Sequence, residues 1–221
     1  MIAKQAAAQK AIEYIKDGMT VGLGTGSTAF WVIQYLAQEI KNGMKVTAVA
    51  TSKETEKLAA ECGIPITEMD AVDHIDIDVD GADEVDVRLN LVKGGGGALL
   101  REKIVAFNSH GFIVVVDESK MVDSLGKFPL PVEVIPFGWE HTARHLASLG
   151  CTSMQRKSGA APYITDNGNY ILDCHFNSIP DPAYLQAKIN AVPGVVESGL
   201  FVKMATRIIV GYNDGKVEEY F

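Results

Sequence analysis

The run His74-Ile75-Asp76-Ile77-Asp78-Val79-Asp80 alternates apolar β-branched residues with aspartates, then breaks at Gly81-Ala82-Asp83-Glu84. A period of two marks a strand, and the glycine marks its end. The chain next reaches Lys93-Gly94-Gly95-Gly96-Gly97. Ala98-Leu99-Leu100-Arg101-Glu102-Lys103 then opens an apolar, helix-like run that ends at Ala106-Phe107. Strand, glycine loop and helix in that order make a βα unit and set the class as α/β. The same unit gathers acids, a lysine and glycines. Carboxylates that move protons, beside a cation and open backbone N–H groups, suit proton transfer next to a carbonyl.

Upstream, Ala3 to Lys16 reads as a helix ended by Gly18, and Met19 to Leu23 as a buried strand. A helix from about Thr28 to Lys41 follows, closed by Gly43. Lys45 to Thr51 is a strand, Lys53 to Cys62 a helix and Ile64 to Thr67 a short strand. Downstream, Phe112 to Val116 is a further strand. Strands separated by helices predict a parallel sheet. The texture changes at Lys127-Phe128-Pro129-Leu130-Pro131. Beyond it lie Val132 to Ile135, a helix from Trp139 to Leu149 and a helix from Pro182 to Ala191. Between the two helices, Asp166-Asn167-Gly168-Asn169 predicts a type I′ hairpin joining Pro162–Thr165 to Tyr170–Asp173. These elements describe a small antiparallel α+β domain. Arg207 to Tyr212 and Lys216 to Tyr220 are again strand-like.

The chain has 221 residues, 47% of them hydrophobic, and a net charge of −8. The acidic balance, without a basic stripe, argues against nucleic-acid binding. Lys4, Lys10 and Glu13 interrupt any signal-like apolar run, and Phe112 to Val116 is far too short to span a bilayer. No membrane association is therefore expected. Cys62, Cys151 and Cys174 form no Cys-x-x-Cys pair, which fits a reducing cytoplasm.

Gly22-Leu23-Gly24-Thr25-Gly26-Ser27-Thr28 follows a strand and opens a helix, so it can wrap an anion at a helix N-terminus. It is not a Walker A loop, and the next strand ends in Ala50-Thr51-Ser52, without the acid that binds a ribose. A phosphate monoester fits better than a dinucleotide. The bland reading is a tight turn with Thr28 as helix cap. Asp76-x-Asp78-x-Asp80-Gly81 imitates a calcium loop but has Val87 where that loop needs glutamate. Asp78-Val79-Asp80-Gly81 also resembles the nucleophile loop of haloacid-dehalogenase-type phosphatases, which would use magnesium through Asp78 and Asp80. That family carries the motif on its first strand. His141 and His145 share a predicted helix face but lack a third ligand, and His74, His110 and His175 stand alone. Trp31 and Tyr35, four apart, read as core or interface.

Four consecutive glycines cost conformational entropy, which a ligand close to the backbone would explain. The loops after strands ending near Leu23, Asp80, Val92 and Val116 are all expected at one sheet edge. Ligands of open α/β sheets bind at such an edge, and Lys120 follows the last of these strands.

Read together, these motifs resemble type A ribose-5-phosphate isomerase. The resemblance rests on Gly24 to Thr28, Asp80 to Glu84, Lys93 to Gly96, Arg101 to Lys103 and Ser119-Lys120. Gly126 to Val134, Thr165 to Asn169, Pro193 to Val196 and Gly199 to Phe201 carry it further, in order along nearly the whole chain. It implies interconversion of D-ribose 5-phosphate and D-ribulose 5-phosphate through an enediolate, with no metal and no cofactor. It implies Glu102 as the base, and Asp80, Asp83 and Lys93 as the groups that open the ring and stabilise charge. Thr25, Gly26, Ser27, Thr28, Gly81, Ala82, Gly94, Gly95, Gly96 and Lys120 would bind substrate. The implied fold is a Rossmann-like domain, 1–128 plus 201–221, with a smaller ferredoxin-like domain, 129–200, in a homodimer or homotetramer. The phosphatase and a non-catalytic sugar-phosphate sensor are the competing readings.

Overall fold

The structure is a computed structural model that describes residues 1–221. The chain forms two compact units. One comprises Met1–Ala82, Arg101–Met121 and Lys203–Phe221; the other comprises Asp83–Leu100 and Val122–Val202. These differ from the expected domains over 83–100, 122–128 and 201–202. The reason is local pairing: Leu91–Val92 bonds antiparallel to Glu84–Asp86 on one side and Leu200–Phe201 on the other. Val92 therefore does not end a strand of the parallel sheet. Both partners of this short strand are too brief to leave a periodic signal.

The first unit is built on a six-stranded sheet. Its order is Val217–Tyr220, Arg207–Gly211, Ser109–Asp117, Ile75–Asp80, Thr20–Leu23 and Thr47–Ala50. All neighbours are parallel except the first pair. Phe112 to Val116 are buried throughout, as a parallel strand covered on both faces requires. The helix Ser27–Lys41 buries Ala29, Val32, Ile33, Leu36 and Ala37, a stripe of helical period. The helix Ile2–Ile12 offers Ala3, Ala7, Ala8 and Ala11. These small side chains let it lie close on the sheet: a Cβ on Gly211 would sit 1.9 Å from the Ala3 carbonyl oxygen. The expected strand at Ile64–Thr67 shrinks to one parallel bridge, Ile66 to Ala48. Register pairs Leu23 with Val79 and Asp80 with Val114, so these strands end at a common carboxyl edge.

The second unit runs strand, helix, strand, strand, helix, strand. The elements are Leu130–Val134, Trp139–Ala147, Thr152–Gln155, Tyr170–His175, Pro182–Asn190 and Val195–Ser198. The sheet order is fourth, first, third, second strand, all antiparallel. That is the ferredoxin-like split βαβ arrangement. Leu130, Val132, Val134, Leu146, Leu172, Cys174 and Ile189 fill its core. A hydrogen bond with Cys151, and then burial, push the Cys174 thiol far up, so it is an inert core group.

The predicted hairpin is corrected. Tyr170–His175 pairs with Leu130–Val134 and Thr152–Gln155, while Ala161–Pro162 pairs with Lys157–Ser158. The turn itself is present: the Gly168 N–H donates to Thr165 O (2.9 Å), and the Thr165 N–H to Asn169 O (2.9 Å). Gly168 has φ +82° but Asn167 does not enter the left-handed region, so the turn is not type I′. The buried Glu133 carboxylate pins it, accepting from Thr165 Oγ1 (2.9 Å) and Asn169 Nδ2 (2.9 Å). No helix is long and apolar enough to cross a membrane.

Candidate active site

At the carboxyl edge of the parallel sheet, Gly26 caps the helix Ser27–Lys41 with φ +109° and no side-chain hydrogen bond. Thr28 is thus not the cap, and the exposed Gly26-Ser27 start presents first-turn N–H groups to an anion. Thr25 turns inward. Its hydroxyl bonds Thr51 (2.8 Å) and Ser52 (2.9 Å), and its N–H donates to Asp80 Oδ1 (3.1 Å). Lys4, on the first helix, donates to Ser27 Oγ at 2.8 Å and lies 3.9 Å from Asp117 Oδ2. This cation beside the helix start escaped sequence reasoning. No local pattern joins residues 23 positions apart on different helices. Lys120 sits in the short helix Glu118–Lys120 directly after the strand Ser109–Asp117.

Two of the loop glycines answer to aspartates rather than to a ligand. A Cβ on Gly24 would sit 2.0 Å from Asp80 Oδ1, and one on Gly22 would sit 2.6 Å from Asp78 Oδ1. Asp80 is buried, and its Oδ1 also accepts the Gly81 N–H at 2.6 Å. Its carboxylate is therefore held in one orientation at the strand end. Asp78 is fully buried inside the strand. A phosphatase nucleophile must meet both substrate and magnesium, and this residue is closed to solvent.

In the second unit, Asp83 Oδ2 accepts the Gly95 N–H at 2.7 Å. The Gly97 N–H donates to Gly94 O (2.9 Å), and Arg156 Nη1 donates to Gly94 O (2.9 Å) and Gly95 O (3.0 Å). Gly94 and Gly97 have φ +98° and +87°. Backbone conformation and internal bonds thus account for much of the glycine run, with two of its amides already engaged. The Lys93 N–H donates to Gly199 O at 2.8 Å, and its ammonium lies 5.5 Å from the Phe201 ring centroid. Lys93 is 2% exposed, so a cation is buried directly beside the loop. Glu84, quoted in the same motif, is structural: its carboxylate accepts the N–H groups of Gly126 (2.7 Å) and Phe128 (2.6 Å).

Glu102 lies in the first turn of the helix Leu99–Phe107 and is 4% exposed. An acid placed there for the helix dipole gains under about 1 kcal/mol, and it can do so from the surface. Burying a carboxylate costs more than that. The dipole alone therefore does not explain Glu102. A buried acid at the start of a rigid helix can take and return a proton.

Residues 47–215 match the family model of ribose 5-phosphate isomerase A (phosphoriboisomerase A). The chain is 50% identical to ribose-5-phosphate isomerase A of Ruegeria sp. (strain TM1040), over 98% of this chain and 86% of that protein. It is 52% identical to ribose-5-phosphate isomerase A of Parvibaculum lavamentivorans, over 96% and 95%. Among solved structures, a D-ribose-5-phosphate isomerase in complex with phospho-erythronic acid superposes with TM-score 0.95 at 43% identity, covering 98% of this chain and 96% of that one. The ribose 5-phosphate isomerase of Plasmodium falciparum gives 0.94 at 40% identity, covering 98% and 97%. With these likenesses spanning both units, the chain belongs to the ribose 5-phosphate isomerase A family and is an aldose–ketose isomerase.

Proposed function

We propose that this chain interconverts D-ribose 5-phosphate and D-ribulose 5-phosphate in the non-oxidative pentose phosphate pathway, with Glu102 as the base. The observation that carries the reading is the buried Glu102 carboxylate at the head of its helix. Isomerisation moves a proton between C2 and C1 on one face of an enediolate, and a single carboxylate can serve both carbons. Asp80, fixed by two N–H donors, assists ring opening with Asp83, and Lys93 stabilises the developing oxyanion. The Gly26-to-Thr28 helix start, with Lys4 and Lys120, takes the phosphate. Thr25, Gly81, Ala82 and Gly94 to Gly96 shape the substrate's surroundings. The phospho-erythronic acid held by the solved relative combines a phosphate with a carboxylate. That charge pattern is the one an enediolate phosphate presents.

The working form is a homodimer or homotetramer in the cytoplasm, and a strictly monomeric mass by light scattering at micromolar concentration contradicts it. The activity is tested by mixing the protein with ribose 5-phosphate and excess EDTA, then following ketose and free phosphate together. Ketose without phosphate is the expected result. EDTA-sensitive phosphate release indicates the phosphatase, and neither product indicates a sensor.

A further inference from the structure

The opposite, amino edge of the parallel sheet carries a second constellation that the isomerase chemistry does not use. His74 precedes the strand Ile75–Asp80, Asp76 is that strand's second residue, and His110 is the second residue of Ser109–Asp117. Parallel pairing sets Ile75 against Ser109 and Ile77 against Gly111, which brings Asp76 and His110 level. Successive residues of a strand alternate faces, so His74 and Asp76 emerge together. The two imidazoles stack, with centroids 4.8 Å apart and planes at 24°. His74 Nε2 lies 3.4 Å from Asp76 Oδ1, and one ligand atom from each of the three residues falls within 4.8 Å of the others. The other Asp76 oxygen accepts the Thr20 N–H at 2.7 Å, which fixes the carboxylate.

We propose that His74, Asp76 and His110 form a surface site for a divalent transition-metal ion, with Zn²⁺ the best match. The donor set decides the class of ion. Two imidazoles and one carboxylate suit zinc, copper or nickel, whereas calcium and magnesium require oxygen. Three protein ligands and one water complete a zinc tetrahedron. Two donors bound about 2.05 Å from a tetrahedral ion lie about 3.3 Å apart. The His74–Asp76 separation of 3.4 Å already meets this spacing. Both histidines are exposed, so rotating their rings brings the remaining donor in without disturbing the core. The hydrogen bond from Thr20 plays the part of the outer-shell partner that holds a ligating carboxylate in place. A plain stack of surface histidines is the alternative. In it His74 pairs with Asp76 across the same 3.4 Å, but that pair makes no use of a donor from His110, whereas a metal ion draws on all three residues.

The ion would tie two neighbouring strands at their starts, at the far end of the Ile75–Asp80 strand from Asp80. It should therefore stabilise the fold and leave isomerisation unchanged. The test is calorimetric titration of EDTA-stripped, dialysed protein with ZnCl₂ at pH 7.5, with histidine C2-proton NMR alongside. The expected result is one Zn²⁺ per chain, shifting the His74 and His110 signals and sparing His141, His145 and His175. His74→Gln, His110→Gln and Asp76→Asn should each weaken binding at least about tenfold, a scale reached even by outer-shell changes. Zn²⁺ should raise the thermal midpoint of the wild type and not of the His74→Gln/His110→Gln double variant, and kcat should be equal in both. Unchanged Zn²⁺ affinity in the double variant overturns the proposal, as does no binding by the wild type up to millimolar Zn²⁺. If a variant fails to fold, the wild-type NMR titration decides by which histidines move.

Discussion

The two glycine-rich loops look alike in sequence and work in opposite ways. In Gly22 to Thr28, glycines make room for the aspartates of the neighbouring strand, and Gly26 leaves a helix start bare. That loop is open and can receive an anion. In Lys93 to Gly97, the backbone is tied down by Asp83, Arg156 and its own Gly94–Gly97 bond. That loop is closed; buried Lys93 opens it, and the helix Leu99–Phe107 follows it along the chain. A glycine run therefore does not by itself indicate a ligand cradle. What the glycines touch decides between a receiving loop and a bracing one.

The largest effect that sharpens this contrast is expected at Gly24. Gly24→Ala places a Cβ 2.0 Å from Asp80 Oδ1, an atom held by two backbone donors and unable to yield. Overpacking of this kind costs about 1–3 kcal/mol. Displacing Asp80 by a fraction of an ångström to one ångström should lower kcat/KM by about 10²-fold. Thermal melting and steady-state kinetics measure both. A fully active, equally stable variant would mean that Asp80 is not held where the account puts it.

A smaller effect is expected at the brace. Arg156 bonds Asp173 through Nε (3.0 Å) and Nη2 as well as the two loop carbonyls. Arg156→Gln should cost about 2 kcal/mol of stability, since it removes hydrogen bonds to a charged group. It should lower kcat by about tenfold through a loosened loop, with KM little changed. Loss confined to KM would show that this loop receives substrate rather than bracing its neighbours.

The smallest effect belongs to the open loop. Ser27→Ala removes one exposed hydroxyl near Lys4. A single such hydrogen bond is worth about 0.5–1.5 kcal/mol, or about two- to tenfold in KM. Under the proposed role the phosphate is held alike in ground and transition states, so kcat should not move. Competition by inorganic phosphate should weaken in parallel, and an unchanged inhibition constant would place the anion elsewhere.

Sequence legibility follows the same division. The parallel sheet could be read because strands such as Phe112 to Val116 are buried on both faces and leave unbroken apolar runs. Strands as short as Glu84–Asp86, Leu91–Val92 and Leu200–Phe201 carry no period, so Val92 is misplaced onto the parallel sheet and the boundaries shift with it. The Asn167-Gly168 turn could be found but not its partner strand, since turn chemistry is local and strand pairing is not. Lys4 could not be seen beside Ser27, nor His74 beside His110, because these contacts exist only after the chain folds. The Asp80-to-Glu84 motif could be located as a cluster, yet its acids do different work. Asp80 is held at a strand end, Asp83 ties a glycine loop, and Glu84 braces Gly126 and Phe128.

The central claim is that the chemistry belongs to Glu102, on a helix that the braced loop introduces. Exchange of the substrate C2 proton with deuterated solvent reports this step directly, before product is counted. In D₂O, wild-type protein should wash deuterium into the sugar phosphate. Folded Glu102→Gln should lose that exchange together with about 10²–10⁴-fold in kcat, while substrate binding weakens little. A folded Glu102→Gln protein that still exchanges the C2 proton, with kcat within about threefold of wild type, would contradict the account and pass the role of base to Asp80 or Asp83.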